Sequence, residues 1–113
     1  VLVCLNRTKP DNDLFANNGV FALNTLSAAQ QPIADAFSGL TRLPQEERFK
    51  LGDWETISTG APVLLGTEAS FDCHVVETKD FATHRILFGK VTGIRIGDSL
   101  KPLIYHHREY KKL

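Results

Sequence analysis

The side chains that could bind or react gather in three places along this chain. Asn6-Arg7-Thr8-Lys9 sets an amide, a guanidinium, a hydroxyl and an ammonium side by side, just after the apolar run Val1 to Leu5 and before Pro10. Donors crowded on a turn at a strand end suit an anion, phosphate above all. His84 stands where a polar stretch enters an apolar one. From there a side chain can reach a cavity while its backbone is held rigid. His106-His107-Arg108-Glu109-Tyr110-Lys111-Lys112 closes the chain with a basic segment. Together the three suit an anionic, partly apolar ligand such as a flavin or a nicotinamide nucleotide.

Other chemistry is unsupported. There is no nucleophile elbow, phosphate-binding loop, dinucleotide fingerprint, metalloprotease helix or spaced Cys/His quartet. No metal site is expected. His106 and His107 are adjacent and would point to opposite faces of a strand, and His74 and His84 have no carboxylate or cysteine at ligand spacing. Thirteen basic and thirteen acidic residues cancel in a chain of 113. With no net field to gather nucleic acid or an anionic membrane, the expected partner is a small molecule. No apolar run approaches the roughly 20 residues that span a bilayer. Cys4 and Cys73 fall in apolar strand patterns and are expected as buried free thiols, which fits a reducing cytoplasm.

The elements that must position these groups are organised around Ala69 to Val91. Ala69, Phe71, Cys73 and Val75 alternate with Ser70, Asp72 and His74, the period of a half-buried strand with the first set inward. The polar run Glu77 to Asp80 is expected to break that strand and reverse the chain. Arg85 to Val91, apolar on both faces, then reads as a strand inside a sheet, continued by Thr92 to Ile96. Upstream, Val1 to Leu5 reads as a buried strand. Asp11 is expected to cap a helical turn holding Leu14 and Phe15, with Gly19 ending it, and Val20 to Leu26 is a strand. Ser27-Ala-Ala-Gln30 matches a capping box ahead of a helix carrying Ile33, Ala36, Phe37 and Leu40, with Pro32 loosening its start. Pro44 is expected at the first position of a second helical turn, with Phe49 and Trp54 as core anchors after it. Ser58 to Pro62 reads as a turn and Val63 to Leu65 as a short apolar segment. Gly97-Asp98-Ser99 is expected as a turn and Leu103 to Tyr105 as the last strand. Many short strands with two or three short helices imply a mainly β fold, a small barrel or an α+β sheet. The length bounds the chain at one domain, residues 1–113. It has no methionine and begins Val-Leu-Val-Cys-Leu, so the domain is expected to be N-terminally incomplete.

These pieces in this order resemble the short-chain flavin reductases. The resemblance rests on Val3-Cys4-Leu5-Asn6-Arg7, on Asn24-x-Leu26 with Gln30 and Phe37-Ser38-Gly39, and on Arg48-Phe49 with Trp54. It continues through Phe71-x-Cys73, Thr83-His84-x-Ile86-x-Phe88-Gly89-x-Val91 and Tyr105-His106-x-Arg108-x-Tyr110. It implies an FMN-binding split β-barrel of Greek-key type, a homodimer, and an NAD(P)H:flavin oxidoreductase supplying reduced flavin to a monooxygenase. FMN is the implied flavin, with FAD possible and NADH or NADPH as reductant. The resemblance places Asn6, Arg7, Thr8 and Lys9 by the flavin phosphate and ribityl chain, and His84 beside the nicotinamide as the catalytic histidine. His106 and Arg108 are further cofactor-binding candidates. Two departures stand out: Ala82-Thr83-His84 replaces the commoner Gly-Asp-His, and Lys9 replaces a serine. The alternatives are an FMN-holding reductase of another acceptor such as a corrinoid, a flavin- or haem-binding module without turnover, and a structural or interaction domain.

Overall fold

The computed structural model describes residues 1–98 and 101–113, and so Ser99 of the expected turn lies outside the described residues. Its elements are strands with three short α-helices among them. The strands are β1 (Leu2–Asn6), β2 (Val20–Thr25), β3 (Trp54–Glu55), β4 (Val63–Leu64), β5 (Ala69–Phe81), β6 (His84–Ile96), β7 (Ile104–His106) and β8 (Glu109–Lys111). The helices are α1 (Asp13–Asn18), α2 (Gln31–Phe37) and α3 (Gln45–Phe49). Contacts divide the chain into two compact units. The first is Val1–Leu23, Thr56–Pro62 and Phe71–Ile94; the second is Asn24–Glu55, Val63–Ser70 and Arg95–Leu113.

The main sheet runs in the order β1-β6-β5-β2. In the first unit its core is Phe21, Cys73 and Leu87, with Val3, Leu5, Phe71, Val75 and Val91 packed against them. Gly89 is required there, because a Cβ would lie 2.5 Å from the Phe21 ring. Gly19 ends α1 in the left-handed region at φ 73, and its carbonyl accepts the Val75 N–H at 2.9 Å. Asp11 lies inside a 3₁₀ turn, Pro10–Asn12, and does not cap α1.

Four expectations about the main sheet are corrected. The strand does not break at Glu77: β5 runs on to Phe81 and the chain reverses at Ala82-Thr83, with Ala82 at φ 51. A protruding two-stranded ribbon has water on both faces, so polar residues there do not interrupt pairing. The inward and outward sets of β5 are not cleanly divided either, since Ser70 and Asp72 are fully buried on the face opposite Cys73. Finally, Cys4 is exposed while Cys73 is buried. The first strand, β1, is at the sheet edge, and Leu2 and Cys4, two residues apart, share its outward face. Strand β6 likewise buries only Leu87 and Gly89 fully, and is not a strand enclosed on both faces.

In the second unit the capping box forms as read, with the Ser27 N–H donating to Gln30 Oε1 at 3.0 Å. It closes a 3₁₀ turn ahead of α2, which carries Pro32 in its first turn and buries Ile33 and Ala36. Leu40 lies beyond the helix and is exposed. Pro44 takes the N-cap of α3, one place earlier than expected. Phe37, Phe49 and Trp54 form an aromatic cluster with centroids 4.9 to 5.7 Å apart, and the Trp54 indole donates to the Phe49 carbonyl at 2.9 Å. The last segment is not a simple basic tail. It folds as a β7–β8 hairpin whose turn residues, His107 and Arg108, both have positive φ, at 52 and 61. The two histidines are therefore not on opposite faces of a strand; their rings meet edge to face at 4.3 Å.

Candidate functional site

Strand β1 ends at Asn6 and β6 begins at His84, and the antiparallel register pairs these two residues directly. Leu2 with Phe88, Cys4 with Ile86 and Asn6 with His84 are alternate pairs of one ladder. They share a face, apolar at one end and polar at the other. Two candidates 78 positions apart in sequence are thus neighbours.

Beyond Asn6 the chain turns because its side-chain oxygen accepts both the Thr8 N–H, at 2.8 Å, and the Thr8 hydroxyl, at 2.7 Å. The Asn6 carbonyl in turn accepts from the Asn12 amide at 2.9 Å. Arg7 ties this loop to the turn of the β5–β6 hairpin: its N–H donates to the Thr83 carbonyl at 2.8 Å and its Nη1 to the Ala82 carbonyl at 3.3 Å. The same guanidinium faces Asp80, with Nη2 3.4 Å from Oδ2, while its side chain stays 43% exposed. Lys9 is exposed and starts the 3₁₀ turn, its carbonyl accepting the Asn12 N–H at 3.0 Å. The exposed His84 ring has Nδ1 2.9 Å from the Thr83 hydroxyl.

Sequence reasoning missed Asp80. It holds Arg85 through both oxygens, at 2.6 Å from Nε and 3.3 Å from Nη2, and Arg85 Nη1 also reaches Asp13 at 3.2 Å. The hydrogen bond from Arg85, with Arg7 and the Arg85 charge adding to it, holds the Asp80 carboxyl below the ordinary aspartate range, and Asp80 raises Arg85 in return. The available signal was Asp80 and Arg85 flanking a two-residue turn in a hairpin, where such positions face each other.

Asp72 was missed as well. Its Oδ2 accepts the Ser58 N–H and the Thr59 N–H, each at 2.8 Å, and the Ser58 hydroxyl at 3.0 Å; Oδ1 accepts the Thr59 hydroxyl at 2.5 Å. Burial, the largest influence, pushes this carboxyl up, but the bonds from Thr59 and Ser58 together outweigh it and leave it below its ordinary value. Asp72 fixes the loop Thr56–Pro62 within the first unit.

His106 and Arg108 belong to the second unit. His106 ends β7 opposite Glu109, and Arg108 lines an open groove of about 780 Å³ with Gln31, Asp35, Tyr105 and Tyr110. Burial first, then Asp35 and Tyr105, push the Tyr110 phenol up. Among the described residues no group of three or more His, Cys, Asp or Glu side chains could hold a metal ion, and no helix is long and apolar enough to cross a membrane.

The model of the flavin reductase like domain matches residues 1–113. The chain belongs to this family. It is 42% identical over 110 residues to a protein of Ancylobacter novellus named FMN reductase (NADH) RutF, covering 97% of this chain and 60% of that one. A crystal structure described as a flavin reductase, from Haemophilus somnus, superposes with a TM-score of 0.92 at 36% identity over 99% of this chain and 70% of the other. The bacterial protein BorF, the flavin reductase component of a two-component tryptophan halogenase, gives 0.88 at 26% identity over 99% of this chain and 71% of the other. The fold is thus the expected split barrel of the flavin reductases, while the chain spans about three fifths of the length of the curated relatives it matches. The residues of the Asn6 loop fit a flavin's phosphate end, because exposed Arg7, Thr8 and Lys9 supply guanidinium, hydroxyl and ammonium donors on one turn.

Proposed function

We propose that this domain belongs to an NAD(P)H:flavin oxidoreductase that reduces FMN, or FAD in its place, and releases the reduced flavin to a partner monooxygenase. Residues 1–113 act as one flavin reductase-like domain, working as a homodimer in the cytoplasm, where the nicotinamide pool resides. The direct pairing of Asn6 with His84, with Arg7 tied to the same hairpin turn, carries this reading. It sets anion donors and an imidazole at one end of an apolar strip, the polarity pattern of a flavin nucleotide lying against a nicotinamide. The relative's name supports FMN and NADH, and BorF supports a two-component partner.

A flavin held there would supply the chemistry, as the acceptor of a hydride from the nicotinamide. Arg7, Thr8 and Lys9 bind the phosphate end, and Asn6 holds that loop in its turned form. His84 orients the nicotinamide by hydrogen bonding; the Thr83 hydroxyl beside Nδ1 fixes the ring, leaving Nε2 to face the reductant. No nucleophile is needed. His106 and Arg108 are assigned to cofactor binding through the cationic turn of the β7–β8 hairpin. Following NADH absorbance with and without added FMN tests the reading: oxidation that requires FMN is expected, and no oxidation with any flavin overturns it. Sedimentation should give a dimer at micromolar concentration.

A further inference from the structure

The Asn6 loop presents its guanidinium with a carboxylate already beside it. Asp80 lies 3.4 Å from Arg7 Nη2, while its own strong contacts, at 2.6 and 3.3 Å, are to Arg85. Arg7 and Arg85 with Asp80 and Asp13 sum to no net charge, so the Arg7 guanidinium adds no net positive field to that of Lys9. An anion approaching Arg7 meets the Asp80 carboxylate at the same nitrogen edge. The Arg7–Asp80 contact is the looser of the two, and it can open while Arg85 keeps Asp80 in place.

We propose that Asp80 is a built-in counter-ion for Arg7 that competes with the flavin phosphate and keeps the flavin exchangeable. This rests on the flavin reductase reading above. An enzyme that hands reduced flavin to a partner gains from a phosphate site that is specific but weak, since affinity differences between related complexes lie mostly in the off-rate. Asp80 sets that weakness. It lies on an exposed hairpin, outside the core, and its effect falls on the phosphate and not on the ring.

The test is fluorescence titration of the protein with FMN and with riboflavin, which lacks the phosphate, at low and high salt. Asp80→Asn keeps the shape of the side chain and removes its charge, so FMN should bind about three- to tenfold tighter and leave more slowly, by the size of a surface charge contact. Riboflavin should be unchanged, and the gain should shrink as salt screens it. Asp13→Asn adds the same charge but touches only Arg85, so its effect should be smaller; Asp80→Glu should behave like wild type. FMN affinity that is unchanged or weaker in Asp80→Asn overturns the proposal, as does an equal shift for riboflavin. If Arg7→Ala leaves FMN affinity untouched, the phosphate placement itself has failed, and the counter-ion role falls with it.

Discussion

Strand β5 carries two aspartates eight residues apart, and they hold opposite kinds of partner. Asp72 is fully buried and held by neutral donors, the backbone and hydroxyls of Ser58 and Thr59. Asp80 is exposed and held by two guanidiniums. Both carboxyls are shifted down, but for different reasons. A buried charge must have its lone pairs filled or the fold fails. An exposed pair is screened and contributes little to stability, which frees it for function. The same residue type on one strand is thus structural at its buried end and regulatory at its protruding end.

The largest expected effect breaks the buried end. Asp72→Ala removes the acceptor of four hydrogen bonds and strands two backbone donors, so unfolding should become easier by about 3 kcal/mol or more. Urea denaturation measures it; a loss under 1 kcal/mol would mean the loop is held otherwise. The pH dependence sharpens the same point. Because the folded Asp72 carboxyl titrates below the unfolded one, its contribution is fully present above the ordinary aspartate value of about 3.9 and is lost as pH falls through the lower folded value. The stability of Asp72→Asn should therefore fall less than wild type between pH 5 and pH 2 (about the range over which such groups titrate).

At the exposed end the readout is binding. Arg7→Ala should weaken FMN by about 1.5 to 3 kcal/mol, the loss of a charge-assisted contact, with no change in Tm. The smallest effect expected is on the melting temperature of Asp80→Asn, which should match wild type because the side chain lies outside the core. A drop of several degrees there would erase the distinction between the two aspartates.

Much of this was legible in the sequence where local rules govern. The capping box at Ser27–Gln30, the left-handed Gly19 and the donor run Asn6 to Lys9 follow from residue type and spacing alone. What escaped depends on pairing between distant segments. Polarity at Glu77 to Asp80 reads as a loop, yet an extended ribbon tolerates it because both its faces are wet. Cys4 reads as core because its neighbours are apolar, but an edge strand has an outward face. The buried Asp72 looks like an outward-facing residue until Ser58 and Thr59 arrive from 13 to 14 positions away. His107-Arg108 carries none of the glycine or asparagine that marks a tight hairpin, so β8 was unseen.

The pairing of Asn6 with His84 carries the functional account, and stopped-flow reduction of FMN by NADH tests it most directly. His84→Ala should leave FMN affinity and Tm as in wild type, while hydride transfer slows or needs more NADH to reach half its maximal rate. Reduction at the wild-type rate over the whole range of NADH concentration would contradict the role given to His84.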